Sequence, residues 1–213
     1  MTVSLKPRKK PRQRRSKVTC DAILEAAARI LEAAGREGLT TNAIAERAGV
    51  SIGSLYQYFP NKEAVLAAVL RSKRAELLGW MQDAAERCRE ASPEAALREL
   101  LAAGMRHQFE RPRLAMEAEY AEQQLQLAPE TAALADEMAR LVLESLRRLA
   151  PSAGPQEARD VVAIAKGMIN AAAMNGEAGG AELVTRVERA IRCYLRETAS
   201  NSAEIRAASS AAP

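Results

Sequence analysis

The chain has little with which to do chemistry. It holds one histidine, His107, and three cysteines, Cys20, Cys88 and Cys193, too far apart in sequence to give metal-ligand spacing. No nucleophile elbow, phosphate loop or dinucleotide fingerprint occurs, so the chain reads as a non-enzyme with no cofactor and no metal. The acids are plentiful but fall where solvated helix faces would carry them. Each cysteine is either a small buried hydrophobe or a sensor thiol, and an odd, sparse count suits a reducing cytoplasm. Long apolar runs are also missing: none approaches the roughly 18 residues that cross a bilayer. The charged start, with no apolar stretch behind it, is not a signal peptide. No membrane partner is expected.

Aromatics are scarce at 3%, although hydrophobic residues make up 48% of the 213. The core must therefore be built from Ala, Leu, Val, Ile and Met. Abundant Ala, Leu, Glu and Arg point to helix nearly throughout, an all-α fold.

The net charge of +4 conceals an asymmetry. Residues 1–17, MTVSLKPRKKPRQRRSK, carry eight Lys or Arg and no acid, which leaves about −4 for everything else. With two prolines and strong self-repulsion this arm is expected to be disordered. It reads as an arm along phosphates or into a minor groove, with a solubilising tail or a nuclear localisation signal as alternatives.

The organising stretch is Thr40 to Lys62, TTNAIAERAGVSIGSLYQYFPNK. Thr41 is suited to cap a short helix whose inner face is Ile44, Ala45 and Ala48. Gly49 can take the left-handed turn after it, and Ser51 can cap a second helix that turns Leu55 and Phe59 inward. This is the grammar of a helix-turn-helix whose second helix enters a major groove. Ile52, Gly53, Ser54, Tyr56 and Gln57 belong to that second helix. A mid-helix Gly beside an outward Ile is poor design for solvent, since the Gly costs about 1 kcal/mol relative to Ala. It makes sense if DNA comes close, with Ile52 on a thymine methyl and Gln57 on an adenine edge. Thr40, Thr41, Ser51, Tyr56, Tyr58 and Lys62 are placed for phosphates. The alternative is a plain helical hairpin with an accidental apolar spot.

Residues from about Ile23 to Leu66 resemble the DNA-binding domain of the tetracycline-repressor (TetR/AcrR) family. The resemblance is carried by ILEAAARILEAAG, TTNAIAERAGVS and GSLYQYFPNKEAVL, with Leu39 where an aromatic often precedes the threonines. It covers about a fifth of the chain. It implies an all-helical homodimeric repressor whose larger C-terminal domain binds a small-molecule inducer.

The remaining pattern divides the chain into an arm (1–17), a three-helix DNA-binding domain (18–64), a helical ligand-binding and dimerisation domain (65–198) and a flexible tail (199–213). The first helix is expected to start near Thr19–Asp21, bury Ile23, Leu24, Ala27, Ile30, Leu31 and Ala34, and end at Gly35. After Phe59-Pro60-Asn61 a long helix is expected, with Lys62 and Glu63 in its first turn, continuing to about Glu90. Ser92-Pro93-Glu94 opens the next, with cap, proline and acid in their preferred places. Pro112, Pro129 and the PSAGP loop at 151–155 separate the helices of the C-terminal half. The last two helices, roughly Gln156 to Asn175 and Ala181 to Arg196, are the dimerisation candidates. Their apolar faces are broad, and Ala165, Gly167, Ala171, Ala172 and Ala173 permit close approach; ordinary core is the alternative. A two-fold dimer would require a near-palindromic double-stranded operator.

A pocket for an unknown small-molecule effector is expected among Trp80, Met105, Arg106, His107, Phe109, Met116, Tyr120 and Met138, which mix soft, aromatic and polar groups. The function expected is a sequence-specific regulator, a repressor released from its operator by ligand. The alternative is an architectural DNA binder without ligand control.

Overall fold

The computed structural model describes residues 4–8, 14–125 and 127–210. Among the described residues there are nine helices and no strand. They are α1 (Arg14–Ala34), α2 (Thr41–Ala48), α3 (Ile52–Tyr58), α4 (Lys62–Arg87), α5 (Pro93–Phe109), α6 (Pro112–Gln124), α7 (Ala128–Leu149), α8 (Pro155–Met174) and α9 (Ala181–Ser210). The all-α class expected from the composition is the class observed.

Two compact units form. The first takes its described residues from Met1–Ala75 and Arg111–Ala128, the second from Glu76–Glu110 and Pro129–Pro213. The expected boundary at 64/65 lies inside α4, which supplies residues to both. The expected ligand-binding segment also gives up α6, because Leu114, Ala121, Leu125 and Leu127 are buried in the same cluster as Ile23, Leu31 and Leu55. Arg111, at the N-cap of α6, donates to Glu32 on α1 at 2.6 and 2.7 Å and to Glu25 at 3.1 Å. Arg74 of α4 is fork-bonded to Glu122 of α6.

In the second unit, Leu100, Leu101, Val142, Leu146, Val161, Leu183, Val187 and Ile191 share one core. Glu188, buried on α9, accepts from Arg98 of α5 and from Arg192 one turn on. The Arg98 hydrogen bond, working against burial, holds its carboxyl below the usual range. Ser92 caps α5 by accepting from the Ala95 amide at 3.2 Å, and Pro93 stands first in the helix, as its spacing predicts.

Two helix ends and one buried position differ from expectation. The first helix begins at Arg14, ahead of Thr19, so the last cations of the arm are helical. Ala34, expected in the buried stripe, is exposed at its end. The last helix runs on to Ser210, so residues 199–210 of the expected tail are helical, in keeping with their Ala content. Gly35 does end α1, with φ +62, a left-handed backbone that glycine takes without a Cβ penalty. Among the described residues no helix is long and apolar enough to cross a membrane.

Candidate nucleic-acid interface

Helix α2 is capped by Thr40, not Thr41. Thr40 has the extended backbone of an N-cap (φ −122, ψ 153), and its hydroxyl accepts from the Ala43 amide at 3.1 Å. Thr41 is thereby the first helical residue, and its hydroxyl lies 3.2 Å from the Tyr56 hydroxyl of α3. Gly49 adopts φ +67, and the amide of Val50 reaches back to the Ala45 carbonyl at 3.0 Å, the bond that closes a Schellman turn. Ser51 then caps α3, accepting from the Ser54 amide at 3.1 Å, and the Ser51 and Ser54 hydroxyls are 2.8 Å apart.

Leu55 is wholly buried and Phe59 nearly so, which anchors α3 by its inner side. That anchoring turns the opposite face outward. Ile52 is 38% exposed and Tyr56 40%, with Gly53 and Gln57 exposed and Ser54 partly so. A Cβ on Gly53 would meet nothing closer than Ser51 Oγ at 3.9 Å. Packing within the chain therefore does not demand glycine there. Tyr58 is half-buried against the core, and Lys62 is exposed in the first turn of α4.

Sequence reasoning missed the arm's placement. Residues 4–8, expected to be disordered, lie against α3 and the start of α4. The Arg8 amide donates to the Tyr58 carbonyl at 2.7 Å, and its guanidinium to the Tyr56 carbonyl at 3.3 Å. The available signal was Leu5, an apolar residue set among cations. Residues 9–13 of the arm lie outside the described residues.

The candidate effector residues do not gather. Trp80, Met105, Phe109 and Met138 pack in or on the core of the second unit. Arg106 lies over the Trp80 ring at 4.2 Å, and His107 is partly buried nearby in sequence. Met116 and Tyr120 instead belong to the first unit, 38% and 47% exposed, with Arg36 over the tyrosine ring at 5.6 Å. A cleft of about 520 Å³ in the first unit has none of these eight candidates on its walls; Arg36, Lys62, Glu117 and Gln124 are among its lining residues. Among the described residues no group of three His, Cys, Asp or Glu could hold a metal. Cys20 is buried, which pushes its thiol pKa up and keeps it protonated.

A buried-anchor helix with an exposed, Gly-containing outer face, presented by a capped turn, defines a helix-turn-helix DNA-binding domain. Likeness to known proteins points the same way over this stretch. Residues 23–69 match the model for bacterial regulatory proteins of the tetR family. The tetracycline repressor protein class C of Escherichia coli is 43% identical over 54 residues, which are 25% of this chain and 25% of that protein. The chain thus spans about a quarter of that curated relative's length. Two solved structures extend the likeness of fold. The fatty acid degradation regulator FadR from Bacillus halodurans superposes with a TM-score of 0.66 over 88% of this chain and 97% of its own, at 20% identity. The TetR-like regulator LfrR from Mycobacterium smegmatis, solved in complex with proflavine, gives 0.60 over 82% and 94%, at 22%. Residues 23–69 are thus similar to the N-terminal domain of the tetR family of bacterial regulatory proteins, and beyond them the likeness is one of fold.

Proposed function

We propose that the chain is a dimeric transcriptional repressor that holds a palindromic operator and leaves it when a small molecule binds. The observation that carries the reading is the outer face of α3, where Ile52 and Tyr56 stand out while Leu55 on the same helix is wholly buried. Ile52, Gly53, Ser54, Tyr56 and Gln57 meet base edges in the major groove. Thr40, Thr41, Ser51, Tyr58 and Lys62 serve the phosphates on either side.

Dimerisation is assigned to α8 and α9. On α8, Ile164, Gly167, Met168, Ala171 and Met174 succeed one another at helical spacing, and each is at least partly exposed. A Cβ on Gly167 would meet nothing within 4 Å, so the helix has room there for a neighbour's backbone. Two-fold pairing would set two recognition helices about one DNA turn apart or a multiple of it.

The effector is assigned to the second unit, around Trp80, Met105, His107, Phe109 and Met138. Support comes from the core that Trp80, Met105, Phe109 and Met138 share and from the ligand in the LfrR structure. Ligand control needs a difference of order 1–3 kcal/mol in effector affinity between the DNA-competent and DNA-released states. The test is selection of bound sites from random duplex DNA by the purified protein. An enriched inverted repeat supports the dimeric reader, and that operator then serves to screen for ligands that release it. Enrichment of generic or AT-rich duplex alone would replace this reading with an architectural binder.

A further inference from the structure

We propose that residues 4–8 form a strap that fixes the recognition helix, with Arg8 as the positioning residue for base readout. This rests on the reading of α3 as the element that enters the major groove. The helix has seven residues, too short to hold its own geometry, and its last carbonyls have no intrahelical donors. Arg8 supplies two. Its amide donates to the Tyr58 carbonyl at 2.7 Å and Nη1 to the Tyr56 carbonyl at 3.3 Å. A guanidinium at this end also complements the negative pole of the helix.

The strap is held independently of Arg8. Leu5 is half-buried against the core of the first unit. Its carbonyl accepts from Arg71 Nη1 at 2.8 Å. Asn61 Nδ2 donates to the Ser4 carbonyl at 3.2 Å while Asn61 Oδ1 accepts from the Ala64 amide at 2.7 Å. One side chain thus caps α4 and holds the strap. Tyr56 is gripped by its carbonyl while its ring faces outward, so Arg8 acts on a reading residue through the backbone. Arg8, a cation of the arm, thus has a task within the protein.

An arm that only neutralises phosphates makes a different prediction from a strap, and Leu5→Ala separates them because it changes no charge. Leu5→Ala and Arg8→Ala in the full chain are compared with wild type in two ways. The first is amide hydrogen exchange of residues 52–59 without DNA. The second is affinity for the selected operator and for a scrambled duplex over a range of salt. The strap predicts faster exchange at 52–59 in both variants. It also predicts operator affinity lower by about fivefold, a loss of the size that one ordinary hydrogen bond gives. Leu5→Ala should leave the scrambled duplex unaffected. Unchanged exchange and unchanged operator affinity in Leu5→Ala would overturn the proposal. So would an equal loss on both duplexes in Arg8→Ala with the salt slope reduced by about one, the mark of a phosphate contact. If the wild-type protein selects no operator, the major-groove reading fails. The exchange measurement then decides the strap alone, and an unchanged rate at 52–59 overturns it.

Discussion

The two units bury similar aliphatic side chains but spend their exposed apolar surface differently. In the first, Ile52 and Tyr56 stand on the outer face of a seven-residue helix, presented by two capped turns. In the second, the exposed and half-exposed apolar residues Ile164, Met168 and Met174 run along a helix of 20 residues. A short, locally braced helix suits insertion into a groove, where a few side chains must arrive in register. A long stripe suits a partner helix, where many weak contacts add up. The ion pairs divide in the same way. Arg111 spans α6 and α1 in the first unit, whereas Glu188 gathers Arg98 and Arg192 in the second.

The largest test of this contrast removes one anchor from each core. Leu55 and Leu146 are 0% and 1% exposed, so truncation to Ala should cost about 3 kcal/mol in either place. The consequences should separate. Leu55→Ala releases the inner side of α3 and should abolish operator binding even in protein that remains folded at low temperature. Leu146→Ala should lower thermal stability as much while the folded fraction still binds operator. Equal loss of operator binding per folded molecule would show that the second core governs the reading face directly.

Next in size is the reading face itself. Tyr56→Ala should lower operator affinity by about thirtyfold, near 2 kcal/mol, as loss of a good base-edge or backbone contact does. Helicity and oligomeric state should not change, since the ring is 40% exposed. Tyr56→Phe keeps the ring but loses the 3.2 Å contact with the Thr41 hydroxyl, and its loss should be smaller. Normal footprinting by the alanine variant would move the reading face elsewhere.

Legibility in the sequence divides along the same line. Gly49, Ser51 and Leu55 were readable because a tight turn, a cap and an inward anchor each need a particular residue type at a fixed spacing. The cap of α2 was misplaced by one position, since Thr40 and Thr41 are chemically alike and only the extended backbone at Thr40 decides between them. The effector residues were the weakest reading. Met116 and Tyr120 sit on α6, which packs with the DNA-binding core, and no local pattern distinguishes a helix that faces one core from a helix that faces another. The strap was hidden because its charge argued for disorder, while its hold depends on Asn61 and Arg71, more than 50 residues away.

The smallest effect tests the tie between α6 and α1. The hydrogen bonds from Arg111 are the chief cause that holds the Glu32 carboxyl below its ordinary value of 4.5. Burial pushes Glu25 up, but hydrogen bonds from Arg29 and Arg111 bring it below the same value. A carboxylate whose value is depressed by folding contributes stability that is present above 4.5 and lost as pH falls through the folded value. Arg111 is 27% exposed, Glu32 29% and Glu25 47%, so solvent screening limits the tie to about 1 kcal/mol. Arg111→Ala should therefore lower stability to urea by about that amount at neutral pH. The gap between variant and wild type should close on acidification below 4.5, as the two glutamates take up protons. A gap that persists unchanged at acid pH would mean that the Arg111 side chain holds α6 to α1 by packing rather than by charge.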